Sequence, residues 1–474
     1  MKKKSVFLAV LLSSVFSVMV FANSAPVYWE KTPSSSVMTL TEDTPIEVLR
    51  EKLVFDFSKE EEGHFSIQGN VSAAYTMRNT REEAHLSTMV FPYIGYLGQQ
   101  EEVQIEVDGV SIPYEPYYGE IVQSRDFHME DALDLPKLLR EITRDSYKPR
   151  HYDKNQEGTL YEVTFTNLKE GHFHGMLTFQ LKDPESKLLV FGINSYGYTE
   201  GGPYEVGAST RDESVIQLFV LGEPIDVVSS ARSYEDGPLI EGEDFQVTMK
   251  ETQGAFSEVL AELLVGSVYF ESFPERTLQM DNVLYGHVDE LFDRSPMITE
   301  DDLSSMLSQE RMVFLVYEVA FKAQETKDVT VTYQQEGSMD RRETKDPMYT
   351  YEYLLSPAGH YKDFKDLTIE VVPGELYPYI LSSTLPLARQ EDGRYRQTFD
   401  TLPEENLSFT LFTEEELTFK TKVEGYFSRN FYGVLIVGFL AGSLVLFVLM
   451  VMVVYKIVGK LRLGRASQGR RKER

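Results

Sequence analysis

The sequence predicts a mainly β chain: two or three antiparallel, β-sandwich-like modules with helical insertions, followed by one C-terminal transmembrane helix. Three observations predict it. Short runs alternate apolar and polar residues around Asp-Gly or Glu-Gly turns. A few stretches abandon that period for helical spacing. One run of 25 residues, Phe431 to Tyr455, holds no charge.

The chain opens with Met1-Lys2-Lys3-Lys4 and an apolar run from Val6 to Phe21, broken only by serines. A basic start, an apolar stretch and then small residues is the pattern of a secretory signal peptide. Cleavage is expected near Ala22 or Ala25, so residues 1–25 are assigned to it.

The first β-rich module is placed at 26–125. Its best case is Val103 to Tyr114, where apolar residues alternate on both sides of Asp108-Gly109. Asp-Gly between alternating strands signals a hairpin, because a type I′ turn needs positive φ. Residues 126–155 read as a helical link, with Leu133, Leu135, Leu138, Leu139 and Ile142, and Pro136 near a helix start.

A second β-rich module spans 156–230. Leu160–Phe165 and Met176–Leu181 flank a turn at Glu170-Gly171. A helical segment at 231–310 follows. Phe256, Val259, Leu260, Leu263 and Leu264 keep helical spacing. Thr299 with Asp302 three residues on resembles a capping box.

The third β-rich module, 311–430, holds Val329–Tyr333, Leu367–Val371 and a turn at Asp392-Gly393. The uncharged segment 431–455 is long enough to cross a hydrocarbon core of about 30 Å. Lys456, Lys460, Arg462, Arg465, Arg470, Arg471, Lys472 and Arg474 follow it, against Glu473 alone. Positive charge stays inside, so 456–474 is read as a basic cytoplasmic tail, with the N-terminus outside and the chain in a cell membrane.

Two strings resemble modules of uncharacterised, membrane-anchored surface proteins of Gram-positive bacteria. One is Ala74-Tyr75-Thr76-Met77-Arg78-Asn79 with Phe91-Pro92-Tyr93. The other is Tyr351 to Ala358 with Phe364 and Leu367 to Val371. The resemblance brings no settled activity, so it implies no functional residues. The absence of Cys agrees with a bacterial exported chain.

Composition excludes several functions. With no Cys there is no thiol nucleophile, zinc finger or iron–sulfur cluster. A net charge of −29, from 46 basic and 75 acidic residues, argues against a nucleic-acid partner. There is no phosphate-binding Gly-x-x-x-x-Gly-Lys loop and no His-Glu-x-x-His. Gly192-Ile193-Asn194-Ser195-Tyr196-Gly197 comes closest to a nucleophile elbow, with the wrong spacing. His172 and His174 share a strand face, but no third ligand is nominated, so no metal and no cofactor are expected. The acids are too numerous for any pair to stand out as catalytic, and Glu60–Glu62, Glu300–Asp302 and Glu414–Glu416 read as solvated faces.

Tyrosine is the unusual feature, with 28 in the chain. Tyr114, Tyr117 and Tyr118 cluster near Pro113 and Pro116, and Tyr196, Tyr198 and Tyr204 sit in a Gly-rich stretch. Tyrosine combines apolar area with a polar tip and suits recognition surfaces, so these six are the candidate binding residues. Gly438 and Gly442 match the Gly-x-x-x-Gly motif of paired membrane helices. Lipid, a membrane-protein partner or a second copy, and an extracellular ligand are the partners expected. The reading is a surface protein that acts by binding, as receptor, scaffold or accessory subunit. An extracellular hydrolase of wall glycan or peptide, and a sensor signalling through a partner, are the alternatives.

Overall fold

The computed structural model describes residues 28–41, 43–62, 66–98, 103–122, 142, 145–198, 202–233, 237–271, 276–429, 442–443 and 445–456. Alternation builds most of it. In Ile67–Asn79, every second side chain is buried, Val71, Ala73, Tyr75 and Met77 among them. Such a strand needs neighbours on both edges and a second layer over its apolar face.

One neighbour is the preceding strand, and the other comes from distant sequence. Ile67–Asn79 pairs antiparallel with Ile46–Glu62 on one side and with Thr326–Glu336 on the other. They lie in an eight-stranded sheet that runs from Ala388–Arg389 to Val110–Ser111. Met348–Leu354 and Leu407–Phe412 pair in a second sheet. His85–Gly95 and Arg311–Phe321 pair in a third, flanked by Glu115–Ile121. All three sheets feed one core. At its centre Phe55 meets Phe409 edge-on at 5.1 Å, and Phe57 meets Tyr351 at 4.6 Å. The β-rich stretches at either end of the chain are thus interleaved into one frame.

The residues between them form a second unit, whose strands pair only with one another. One sheet orders Phe245–Ala255, Glu157–Asn167, Glu213–Leu221, Lys187–Phe191 and the parallel edge Met297–Thr299. The other orders Ser195–Tyr198, Tyr204–Thr210, Phe173–Gln180, Asp226–Ser233 and Gly237–Pro238. Apolar side chains from both sheets form a shared core. Helices Phe256–Val265 and Leu278–Arg294 cover the first sheet, and Leu97 and Tyr118 of the frame pack into that helical layer.

A buried acid ties the entering chain to the long helix. Asp289 is 0% exposed. It accepts from the Tyr147 hydroxyl at 2.8 Å and from the backbone N–H groups of Arg150 and His151 at 3.0 Å. The Arg150 Nε adds a fourth donor at 3.0 Å. Burial alone would raise this carboxyl, but the donors more than offset it and hold it below the usual carboxylate range.

The turns follow their chemistry. Asp108 and Gly109 both have positive φ, 51° and 77°, as a type I′ turn requires. Gly393 turns at φ 85° between the paired strands Ala388–Arg389 and Tyr395–Phe399. The turn at Gly171 differs. Glu157–Asn167 and Phe173–Gln180, on either side of it, lie in different sheets, so it carries the chain across the sandwich. The Thr299 capping box is present, with Thr299 Oγ1 accepting from Asp302 N.

The expected transmembrane helix requires correction. Among the described residues, no helix is long and apolar enough to cross a membrane. The fold is mainly β without that added span, and single-pass anchoring, with its outside-to-inside orientation, is not supported. Gly438, residues 431–441, the signal segment 1–25 and all of the tail after Lys456 lie outside the described residues. Gly442 lies within them, with no atom within 4 Å of where a Cβ would sit. Most of the helical link, 123–141, also lies outside.

Candidate functional site

The six tyrosines do not form one site. Tyr114 packs beside the frame core, its hydroxyl donating to Val103 O at 3.1 Å. Tyr117 is buried on the outer face of the four-stranded sheet. Tyr196 and Tyr198 stand 60% and 65% exposed on the edge strand Ser195–Tyr198, in the other unit. Tyr198 stacks on Tyr204 at 5.8 Å, and Tyr204 stacks on Phe179 at 5.5 Å. Tyr118 alone of the six lines the cleft described below.

The two histidines are not brought to a common ligand position. His172 Nε2 accepts from Arg211 Nε at 2.8 Å. His174 is buried, with Nδ1 2.7 Å from Ser209 Oγ and Nε2 3.0 Å from Ser195 Oγ. Burial, and then the nearby Arg232 charge, lower its pKa. This Ser–His–Ser line resembles a nucleophile with its base. However, Ser209 stands where a carboxylate would orient and charge-stabilise the imidazole. The line lies across three paired strands, and Gly207 makes room for it. A Cβ there would sit 2.4 Å from His174 Nε2. Among the described residues, no group of three or more His, Cys, Asp or Glu is placed to hold a metal.

The better site lies where the two units meet. Helix Leu278–Arg294 presents Gln279, Asn282, Val283, Gly286, His287 and Glu290 along one stripe, as spacings of three and four dictate. Opposite stand Tyr118 to Ile121, at the end of their strand, and Arg311, the first residue of Arg311–Phe321. Between them is a cavity of about 480 Å³. Arg311 is paired in register with Ile121, which fixes its backbone at the cleft wall. Gly286 keeps the helix close to Tyr147, whose ring lies 3.8 Å from where a Cβ would be.

Arg311 decides the electrostatics. It is only 5% exposed. Its Nη1 reaches Gly119 O at 3.5 Å, the outer limit of a hydrogen bond, and its Nε has no partner. Arg311 makes no ion pair among the described residues. Burial pulls its pKa down, and Glu290 at the rim opposes this from a distance. His287, beside it, is held by Asp302 O at 3.1 Å and Ser305 Oγ at 3.3 Å. Burial lowers the His287 pKa and so favours the neutral ring. The cleft therefore offers one fixed cation with donors to spare, beside the polar groups of Gln279, Asn282 and His287, with the carboxylates of Glu120, Asp145 and Glu290 also in the lining. A guanidinium of this kind suits a planar carboxylate or a phosphate, which it can grip through two N–H groups.

Two further cavities border this one. One of about 670 Å³ shares Ile121 with it and is lined by Trp29, Lys31 and Tyr96. Another of about 320 Å³ shares Lys31, Tyr96 and Glu310 with that. Sequence reasoning missed Arg311, although a signal was there. It is the only charge between Glu310 and Glu318, at the head of the apolar run Met312 to Tyr317.

No family model matches the chain, and no curated protein matches it. Among solved structures, a Legionella pneumophila protein described as a "putative nutrient binding protein" aligns with 80% of this chain and 70% of its own. The identity is 9% and the TM-score 0.32, too low to carry an argument.

Proposed function

We propose that the chain acts by binding, and that the cleft between its two units takes a small ligand bearing a carboxylate or phosphate group. The supporting observation is Arg311, a buried guanidinium whose Nε lacks a hydrogen-bond partner and which makes no ion pair among the described residues, facing a cavity whose lining also includes Glu120, Asp145 and Glu290. Leaving such a charge unpaired is costly, and an arriving anion would remove that cost. Cavities of several hundred Å³ at the seam between units are where small-molecule sites commonly lie. The anion would seat on Arg311, while Asn282, Gln279 and the Tyr118 ring bound the rest of the ligand.

Calorimetric titration of the full chain with small carboxylates and phosphate esters, each beside a neutral isostere, tests this. Anionic members should bind, isosteres should not, and Arg311→Met should weaken binding at least tenfold. Equal binding of the neutral isosteres, or undiminished binding to R311M, would refute the reading.

A further inference from the structure

A second buried ionisable residue has no charged partner, and it lies in the frame core. Glu51 is 0% exposed and stands on Ile46–Glu62 at an inward position, in the series Glu51, Leu53, Phe55, Phe57. Its strand neighbours Arg50 and Lys52 turn away, to Asp366 and Glu370. Four buried tyrosines from four separate segments interact with it electrostatically. Tyr75 is its cross-strand partner. Tyr353 and Tyr333 come from Met348–Leu354 and Thr326–Glu336, and Tyr361 from the loop after residue 360; buried Tyr317 of Arg311–Phe321 acts in turn on Tyr361.

The polar accounting of this chamber does not close. Both Glu51 oxygens, the hydroxyls of Tyr317, Tyr333 and Tyr361, and Ser36 Oγ lack partners in ordinary hydrogen-bond geometry. Tyr75 and Tyr353 are 3.3 Å apart, hydroxyl to hydroxyl, and face the carboxyl. No lysine, arginine or histidine among the described residues acts on Glu51. An ionised carboxylate would therefore lie in apolar surroundings with no countercharge, which is strongly unfavourable. A neutral acid carries one proton that it can donate to a phenol oxygen, and its cost is far smaller.

We infer that Glu51 is a neutral carboxylic acid in the folded frame, and that the frame is an acid-stabilised device that loosens as pH rises through neutrality. Burial pushes this carboxyl up to about 8, with the Tyr75 and Tyr353 hydroxyls holding it back only in part. The sign follows directly. The folded state keeps the proton and the unfolded chain releases it near pH 4.5, so rising pH favours unfolding. The loss begins near the unfolded pKa and levels off above the folded one. Ionisation would act inside the shared frame core, between the eight-stranded sheet that carries Glu51, Tyr75 and Tyr333 and the second sheet that carries Tyr353.

Urea denaturation of the full chain and of Glu51→Gln, from about pH 5 to 9, tests it. The ratio of wild-type to E51Q folding constants should fall about tenfold per pH unit up to pH ~8 and then flatten. Parallel curves across the range would overturn the inference. Should E51Q fail to fold, infrared spectra of the wild type decide. A carboxylic-acid C=O band present at about pH 6 and lost by about pH 9 supports it. No band at about pH 6 would mean an ionised Glu51, held by a trapped cation, and would overturn it.

Discussion

The buried charges of this protein fall into two kinds, and the difference lies in their partners. Asp289 is fully enclosed by four donors. Glu370 is likewise buried, but Arg394 and Arg396 grip it at 2.8 and 2.5 Å. These two hold structure together. Replacing Asp289 by Ala should cost about 3–5 kcal/mol in urea denaturation, because its donors are stranded. Its depressed carboxyl also makes a pH-dependent contribution. That stability is present above the unfolded value of 3.8 and lost as pH falls through the lower folded value, and D289A should lack it. Glu51 and Arg311 are the other kind, buried without an ion-pair partner among the described residues. For Arg311→Met without ligand, the same measurement should show unchanged stability or a gain of up to about 2 kcal/mol, since a structural ion pair is not being broken. None of these acids was legible as special among 75 in the sequence. Of the acidic runs, Glu414–Glu416 is exposed and Asp302 serves a helix cap, whereas Glu51 is marked only by parity, an acid at an inward position of an alternating strand.

Local chemistry determined the elements well where it acts over a few residues. Asp108-Gly109, the Thr299 cap and the helix at Phe256–Val265 all form where turn type, capping and apolar spacing require. It says less about which strand meets which. Glu170-Gly171 has the look of a hairpin, yet its strands belong to facing sheets, because turn residues fix a reversal and not the partner. The Gly-rich stretch shows another limit. Gly207 is there so that His174 can reach Ser195, a demand made by a neighbouring strand. Gly207→Ala should therefore cost about 1–3 kcal/mol in thermal or urea unfolding through overpacking. Gly109→Ala, with open space around it, should cost only about 1 kcal/mol for its positive φ. A G207A protein as stable as wild type would show that the His174 line is not tightly packed.

For the molecule as a whole, the sequence shows β-rich stretches but hides their exchange of strands. Ile67–Asn79 and Thr326–Glu336 each alternate convincingly, and nothing in either names the other. The cleft was illegible for the same reason, since Tyr118, the Gln279–Glu290 stripe and Arg311 meet only after both units form. A fragment of residues 1–125 should thus give no cooperative unfolding transition, because its central strand has lost one edge and most of its cover. A sharp transition from that fragment would mean that the first stretch folds alone. The same interleaving has a meaning in time. Thr76 and Asp328, cross-strand partners in the frame, are 252 positions apart. At ~5–20 residues per second, roughly 10–50 seconds of synthesis separate the emergence of one from the other. The second unit, whose strands pair among themselves, is complete before the frame can close. The earliest-made strands wait longest with bare edges, so the newborn chain has its greatest need of a chaperone at its own beginning.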